Sequence, residues 1–159
     1  MDSKKQNVSV RLSASDLRRI KEIARRMHVR ESDVFRFAVK TALARLMPLN
    51  DPHVMGRDLL PMFADCYGDL TRYFELDTSR LEMIINMGVN DPDQAVDRDD
   101  IELLVMAAVQ ENYALMRLNK LLGSEDDVRD LGQALKAYLL DKYVGNTTES
   151  RLEPSLEPA

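Results

Sequence analysis

Residues 7–46 read NVSVRLSASDLRRIKEIARRMHVRESDVFRFAVKTALARL, and the fold turns on how they are read. They open on a short alternation: Val8, Val10 and Leu12 are apolar, while Asn7, Ser9 and Arg11 are polar. A period of two predicts a half-buried strand with one set of side chains inward and the other outward. A single strand cannot satisfy its own backbone, and a segment this short buries too little apolar surface to stand alone. The stretch therefore asks for a partner, most simply a second copy of itself. Its polar, basic outer face asks for an anion.

Two helical patterns follow at once. Ser13 precedes Asp16 by three positions, the spacing of a capping box. Leu17, Ile20, Ile23, Ala24 and Met27 then recur at intervals of three and four, which places one apolar stripe against a core. The opposite face carries Arg18, Arg19, Lys21, Arg25 and Arg26. His28 and Val29 break the pattern. Glu31, Ser32 and Asp33 supply acceptors and negative charge where a second helix begins, since free N–H groups and the macrodipole favour them there. That helix is predicted through Val34, Phe35, Ala38, Val39, Ala42 and Leu46, stopping before Pro48.

Taken in register, VSVRLSASDLRRIKEIA and RESDVFRFAVKTAL make the first third of the chain resemble a ribbon-helix-helix domain, the prokaryotic family of the Arc, MetJ and CopG repressors. His28 stands where that family often has Gly, and Arg30 where it often has Ser or Thr. The resemblance implies an intertwined homodimer whose two strands pair into a ribbon that enters the DNA major groove. Val8, Val10, Leu12, Ile20, Phe35 and Val39 would form its dimer core. Asn7, Ser9 and Arg11 would then face base edges, where Arg reads guanine and Asn reads adenine with two hydrogen bonds each. Helix starts offer N–H groups to phosphate, which points to Glu31 and Ser32, with Lys4, Lys5 and Arg30 adding sequence-independent attraction. Other readings of the same residues stay open. Asn7, Ser9 and Arg11 also suit the solvated face of an edge strand, Ser32 also suits a helix cap, and the arginines of the first helix also suit a solvated face. Phe35 and Phe37 read as core or interface residues rather than base-stacking platforms.

The chain has 159 residues, enough for one domain or two small ones. Its net charge of -5 is unevenly spread. Residues 1–50 hold twelve Lys and Arg against five Asp and Glu, a net of +7, and the remainder carries -12. This asymmetry suggests a nucleic-acid-binding segment on a body that repels nucleic acid. One Cys excludes a disulfide framework within the chain and suits a reducing compartment. No apolar run approaches about 18 residues and the N-terminus lacks a signal-like core, so a cytoplasmic protein without a membrane partner is expected.

Beyond residue 47 the composition changes. Residues 1–47 form one expected domain, 58–144 a second, and 145–159 a disordered tail. Residues 48–57, with two Pro and a Gly, read as a connection. Residues 59–74 carry a helical stripe that includes Phe63, Tyr67 and Leu70. Asp77 or Thr78 caps a short helix ended by Gly88. Residues 90–99 read as a solvated acidic loop. From Asp99 one long helix is expected to about Leu122, with its stretch 101–109 buried on most sides. Ser124 with Asp127 opens a last helix through Leu131, Leu135, Leu139 and Tyr143. The fold class expected is mainly α: a ribbon-helix-helix segment followed by a bundle of about four helices.

No catalytic or cofactor pattern emerges, so neither an enzyme nor a cofactor is expected. There is no Gly-rich phosphate cradle and no nucleophile with a His partner in context. His28, His53 and Cys66 are too scattered for a metal site, and the acidic run from Asp91 to Asp100 lacks the Gly and Glu spacing of a Ca²⁺ loop. The expectation is a DNA-binding transcriptional regulator, a homodimer that can pair into a tetramer, with a second domain that oligomerises or binds a protein or effector. A plasmid partition or relaxosome accessory protein would share the same DNA-binding end. An antitoxin is disfavoured, because about a hundred residues here have the pattern of a self-folding body. A helical protein-interaction module is the reading that excludes DNA.

Overall fold

The computed structural model describes residues 5–123 and 130–145, and it divides into two compact units, Met1–Leu46 and Met47–Ala159. All regular structure among the described residues is helical. The mainly-α expectation holds, but the ribbon-helix-helix expectation is corrected. Residues 7–12 carry no strand, and both halves of their alternation are exposed, Val8 at 83% and Val10 at 73%. The reason is the obligatory pairing of backbone groups. A strand exists only against a neighbour whose N–H and C=O groups complete its ladder, and none of the described residues offers one.

In the first unit, α1 (Ala14–Met27) packs against α2 (Glu31–Leu46). The Ser13 hydroxyl accepts from the Asp16 N–H at 3.1 Å and donates to its carboxylate at 2.7 Å, which caps α1 as the Ser13–Asp16 spacing implies. His28 closes α1 in the left-handed conformation, φ 55 and ψ 39. There Val29 N–H donates to the Ala24 carbonyl and His28 N–H to that of Arg25, the paired bonds of a Schellman turn that glycine usually makes. Arg30 precedes α2 and has no side-chain acceptor. Asp33 replaces it by reaching back to the Arg30 N–H at 3.2 Å. Only Ala24 is buried among the described residues of this unit.

The second unit is built from five helices: α3 (Leu60–Tyr73), α4 (Thr78–Asn86), α5 (Arg98–Val109), α6 (Glu111–Leu122) and α7 (Leu131–Tyr143). Short 3-10 turns at Met47–Asn50 and Gly56–Leu59 lead into it. Gly56 has φ +58, and a Cβ there would lie 1.9 Å from the Gln94 carbonyl, so only glycine fits where the two loops meet. α5 is the central helix, packed on α3, α4, α6 and α7, with Ile101, Leu103, Leu104, Ala107 and Ala108 buried.

The single long helix expected from Asp99 to Leu122 is two helices, broken at Gln110 (φ -138, ψ 65). No Gly or Pro marks the break. A continuous 24-residue helix would run about 36 Å, far past its supports, and could not cover its own apolar surface. The chain instead reverses, so that α6 lies back on α5, with Arg117 reaching Glu102 at 3.2 Å. Four expected helices thus become five. The Ser124–Asp127 cap and the tail beyond residue 145 lie outside the described residues. Asp130 caps α7, its carboxylate accepting from Gln133 N–H at 3.1 Å.

The acidic segment before α5 is not uniformly solvated. Asn86 exchanges two 2.9 Å hydrogen bonds with the backbone of Val96, which pins the loop to α4. Asp100 is only 3% exposed. Its carboxylate accepts from Tyr138 Oη at 2.9 Å, Tyr143 Oη at 2.5 Å and Lys142 Nζ at 2.6 Å. The Tyr143 hydroxyl also accepts from Asp97 N–H at 3.0 Å, and Lys142 donates to Asp97 at 2.9 Å. A buried carboxylate is tolerable only when paired and hydrogen-bonded, and α7 supplies these three partners.

Burial raises the Tyr143 hydroxyl above its ordinary pKa, and its bond to Asp100 adds to this. Burial alone would lower the Lys142 ammonium, but its bonds to Asp100 and Asp97 outweigh that and hold it above the usual lysine value. In both cases the folded unit retains protons that the unfolded chain loses above roughly pH 10, so stability falls as pH rises through that region. The hydrogen bond from Lys142 holds Asp97 below the usual carboxylate range, and this contribution is lost as pH falls below about 4. A melting-temperature profile should therefore be flat through neutrality and fall at both ends. Tyr143→Phe leaves Asp100 and the Asp97 N–H each short of a partner. Urea unfolding should show a loss of about 1–3 kcal/mol, and the alkaline fall should become shallower.

Candidate nucleic-acid interface

Besides Lys40 and Arg45, exposed along α2, the basic residues of the first unit fall in three places. Ahead of α1, Lys5, Asn7, Ser9 and Arg11 all lie exposed on an irregular segment. Lys4 lies outside the described residues. Along α1, Arg19 pairs with Asp16 at 3.6 Å and Arg25 with Glu22 at 2.7 Å. Arg18, Lys21 and Arg26 are exposed and have no ion-pair partner among the described residues.

The third place is the turn into α2. Glu31 and Ser32 are exposed there, and the first N–H groups of a helix have no intrahelical acceptor. Arg30 is exposed but paired. Its guanidinium bonds Asp33 at 3.2 and 3.4 Å, and Arg36 bonds the same carboxylate at 3.1 Å. The hydrogen bond from the Arg30 side chain holds the Asp33 carboxyl below its ordinary pKa, against an opposing effect of burial. The sequence points to Arg30 at this turn, and the structure adds Arg36 on the same carboxylate. The signal was present in the spacing Arg30, Asp33, Arg36, since residues three apart on a helix are neighbours.

The six residues expected to form a dimer core are not buried in the single chain. Val8, Val10, Leu12 and Val39 are exposed, and Ile20 and Phe35 are half-buried. α2 has no buried residue, and it is apolar on two sides. One side carries Val39 and Leu43, both exposed. The other joins α1 in an open apolar groove of about 610 Å³, lined by Ile23, Met27, Val34, Phe37 and Ala42. Phe37 is 71% exposed. A lone phenylalanine on a surface needs no explanation, but a contiguous apolar groove marks a surface that something covers.

The second unit offers no comparable chemistry. Cys66 is buried in α3, and among the described residues no three His, Cys, Asp or Glu side chains are grouped as a metal ion requires. The polar recess beside Asp100 is lined by Arg98, Arg117 and Lys142, each already in an ion pair. Among the described residues no helix is long and apolar enough to cross a membrane.

Compared with known proteins, the chain matches no family model, no curated protein and no solved structure. The likeness to ribbon-helix-helix repressors therefore rests on the residues of the 7–46 stretch alone.

Proposed function

We propose that the protein is a sequence-specific DNA-binding regulator that acts as a homodimer through its first unit. The observation that carries this reading is the coincidence, within about 46 residues, of a +7 charge and apolar faces left open. Ordering backbone costs roughly 1–2 kcal/mol per residue, while the described residues of this unit bury Ala24 fully and Ile20, Val34, Phe35 and Leu46 only in part. A second copy supplies the missing burial, because each chain presents the same groove and the same exposed Val39–Leu43 side of α2. A dimer also doubles the basic charge, which favours a polyanion. On this reading Asn7, Ser9 and Arg11 read bases as an exposed arm rather than as a strand, and Arg18, Lys21 and Arg26 add attraction to the phosphate backbone.

Dimerisation has a direct test. In a monomer, Phe37→Ser changes an exposed side chain and should alter stability by no more than about 0.5 kcal/mol. In the dimer it sits in the interface. Sedimentation equilibrium should show the wild type as a dimer at micromolar concentration and the variant as a destabilised monomer. A wild type monomeric at every concentration would remove the dimer.

DNA binding is tested by fluorescence anisotropy on the duplex upstream of the protein's own gene, against a scrambled duplex, at two salt concentrations. The expected Kd is about 10⁻⁸ M or tighter, with scrambled DNA about 10³-fold weaker. Arg11→Ala should bring the two duplexes together while leaving the helical signal unchanged. An equal loss on both would make Arg11 a phosphate contact. No binding to any duplex at low salt would leave a helical protein-interaction module as the reading.

A further inference from the structure

We propose that Asp33 limits the non-specific part of DNA affinity by holding Arg30 and Arg36 in intrachain ion pairs that a backbone phosphate must displace. The inference rests on the DNA reading above and deepens it by assigning two further residues, Asp33 and Arg36, to the same surface. One carboxylate takes four hydrogen bonds from three donor sites: the Arg30 N–H at 3.2 Å, the Arg30 guanidinium at 3.2 and 3.4 Å, and Arg36 at 3.1 Å. Both arginines are therefore already paired in the free protein, whereas Arg18, Lys21 and Arg26 have no ion pair among the described residues.

The pairs are exposed, and exposed pairs between side chains three residues apart are weak. A phosphate can draw the two guanidinium groups away, but it then faces the carboxylate they leave behind. The consequence is a lower affinity for any duplex that merely presents phosphates. A duplex that also engages the arm residues is affected in the same proportion, so Asp33 acts on the salt-dependent background and not on base choice. Glu31 gives the comparison for charge alone, because the phosphate reading of the helix start uses its backbone N–H and not its side chain. It lies two residues away on the same exposed helix start and is in no ion pair among the described residues.

The experiment is an anisotropy titration of the full chain on scrambled duplex across a salt series, for the wild type, Asp33→Asn, Glu31→Gln and Arg36→Gln. Circular dichroism checks that α2 survives the loss of the Asp33 cap. Asp33→Asn should bind about 3- to 10-fold more tightly and steepen the slope of log K against log salt by about one phosphate contact. Glu31→Gln, with the same change of formal charge, should shift affinity by less than half as much on a logarithmic scale. Arg36→Gln should make the slope shallower by about one contact, and this variant keeps the Asp33 cap on α2 intact. Equal effects of Asp33→Asn and Glu31→Gln, or an unchanged slope in Arg36→Gln, would overturn the proposal while leaving DNA binding in place. A wild type that binds no duplex would overturn both.

Discussion

A helix whose surface is apolar on most sides must be covered on most sides, and α5 imposes that condition on the second unit. Ile101, Leu103, Leu104, Ala107 and Ala108 point in several directions, so one neighbour cannot shield them. Four helices pack on α5, and the chain reverses at Gln110 so that α6 becomes one of them. The same demand explains the buried charge at the start of α5. Asp100 enters the interior with its helix, and it is accepted there because Tyr138, Lys142 and Tyr143 on α7 complete its hydrogen bonds. A hydrophobic requirement and a polar one thus converge on the same helix pair.

The first unit meets the opposite condition. Its two helices cap and turn correctly, with Ser13 at one end of α1 and a left-handed His28 at the other, yet among the described residues of the unit only Ala24 is buried. Local rules are satisfied while the packing remains incomplete. Partnership is the physical remedy for that imbalance, and the proposed dimer follows from it. The proposed DNA contact follows from the charge that the same unit carries. The Arg30–Asp33–Arg36 cluster belongs to both levels, because Asp33 stands in for the cap that Arg30 cannot provide and also neutralises two cations on the surface.

Much of the helical layout was legible in the residues because helix starts and stops are local. Ser13 with Asp16, Asp77 before Thr78, and the stripe that includes Phe63 all mark elements the structure contains. Where the reading failed, the deciding partner was remote. The alternation of residues 7–12 is a pattern that a strand and an exposed segment share, and only a neighbouring strand distinguishes them. The break at Gln110 has no local signal, since it answers the need to cover α5. Asp100 looked like one more acid in a run of acids, because its partners lie about forty residues further along the chain.

By itself, then, the sequence determined the helical class, most helix boundaries, and the split between a basic first segment and an acidic remainder. These depend on spacing, caps and charge, which act over a turn or are simply counted. Tertiary structure alone decided that residues 7–12 form no strand in the single chain, that the long apolar helix folds back on itself, and which acid is buried. Each of those outcomes depends on what another segment presents at contact distance. Backbone pairing and burial are settled between segments, not within them.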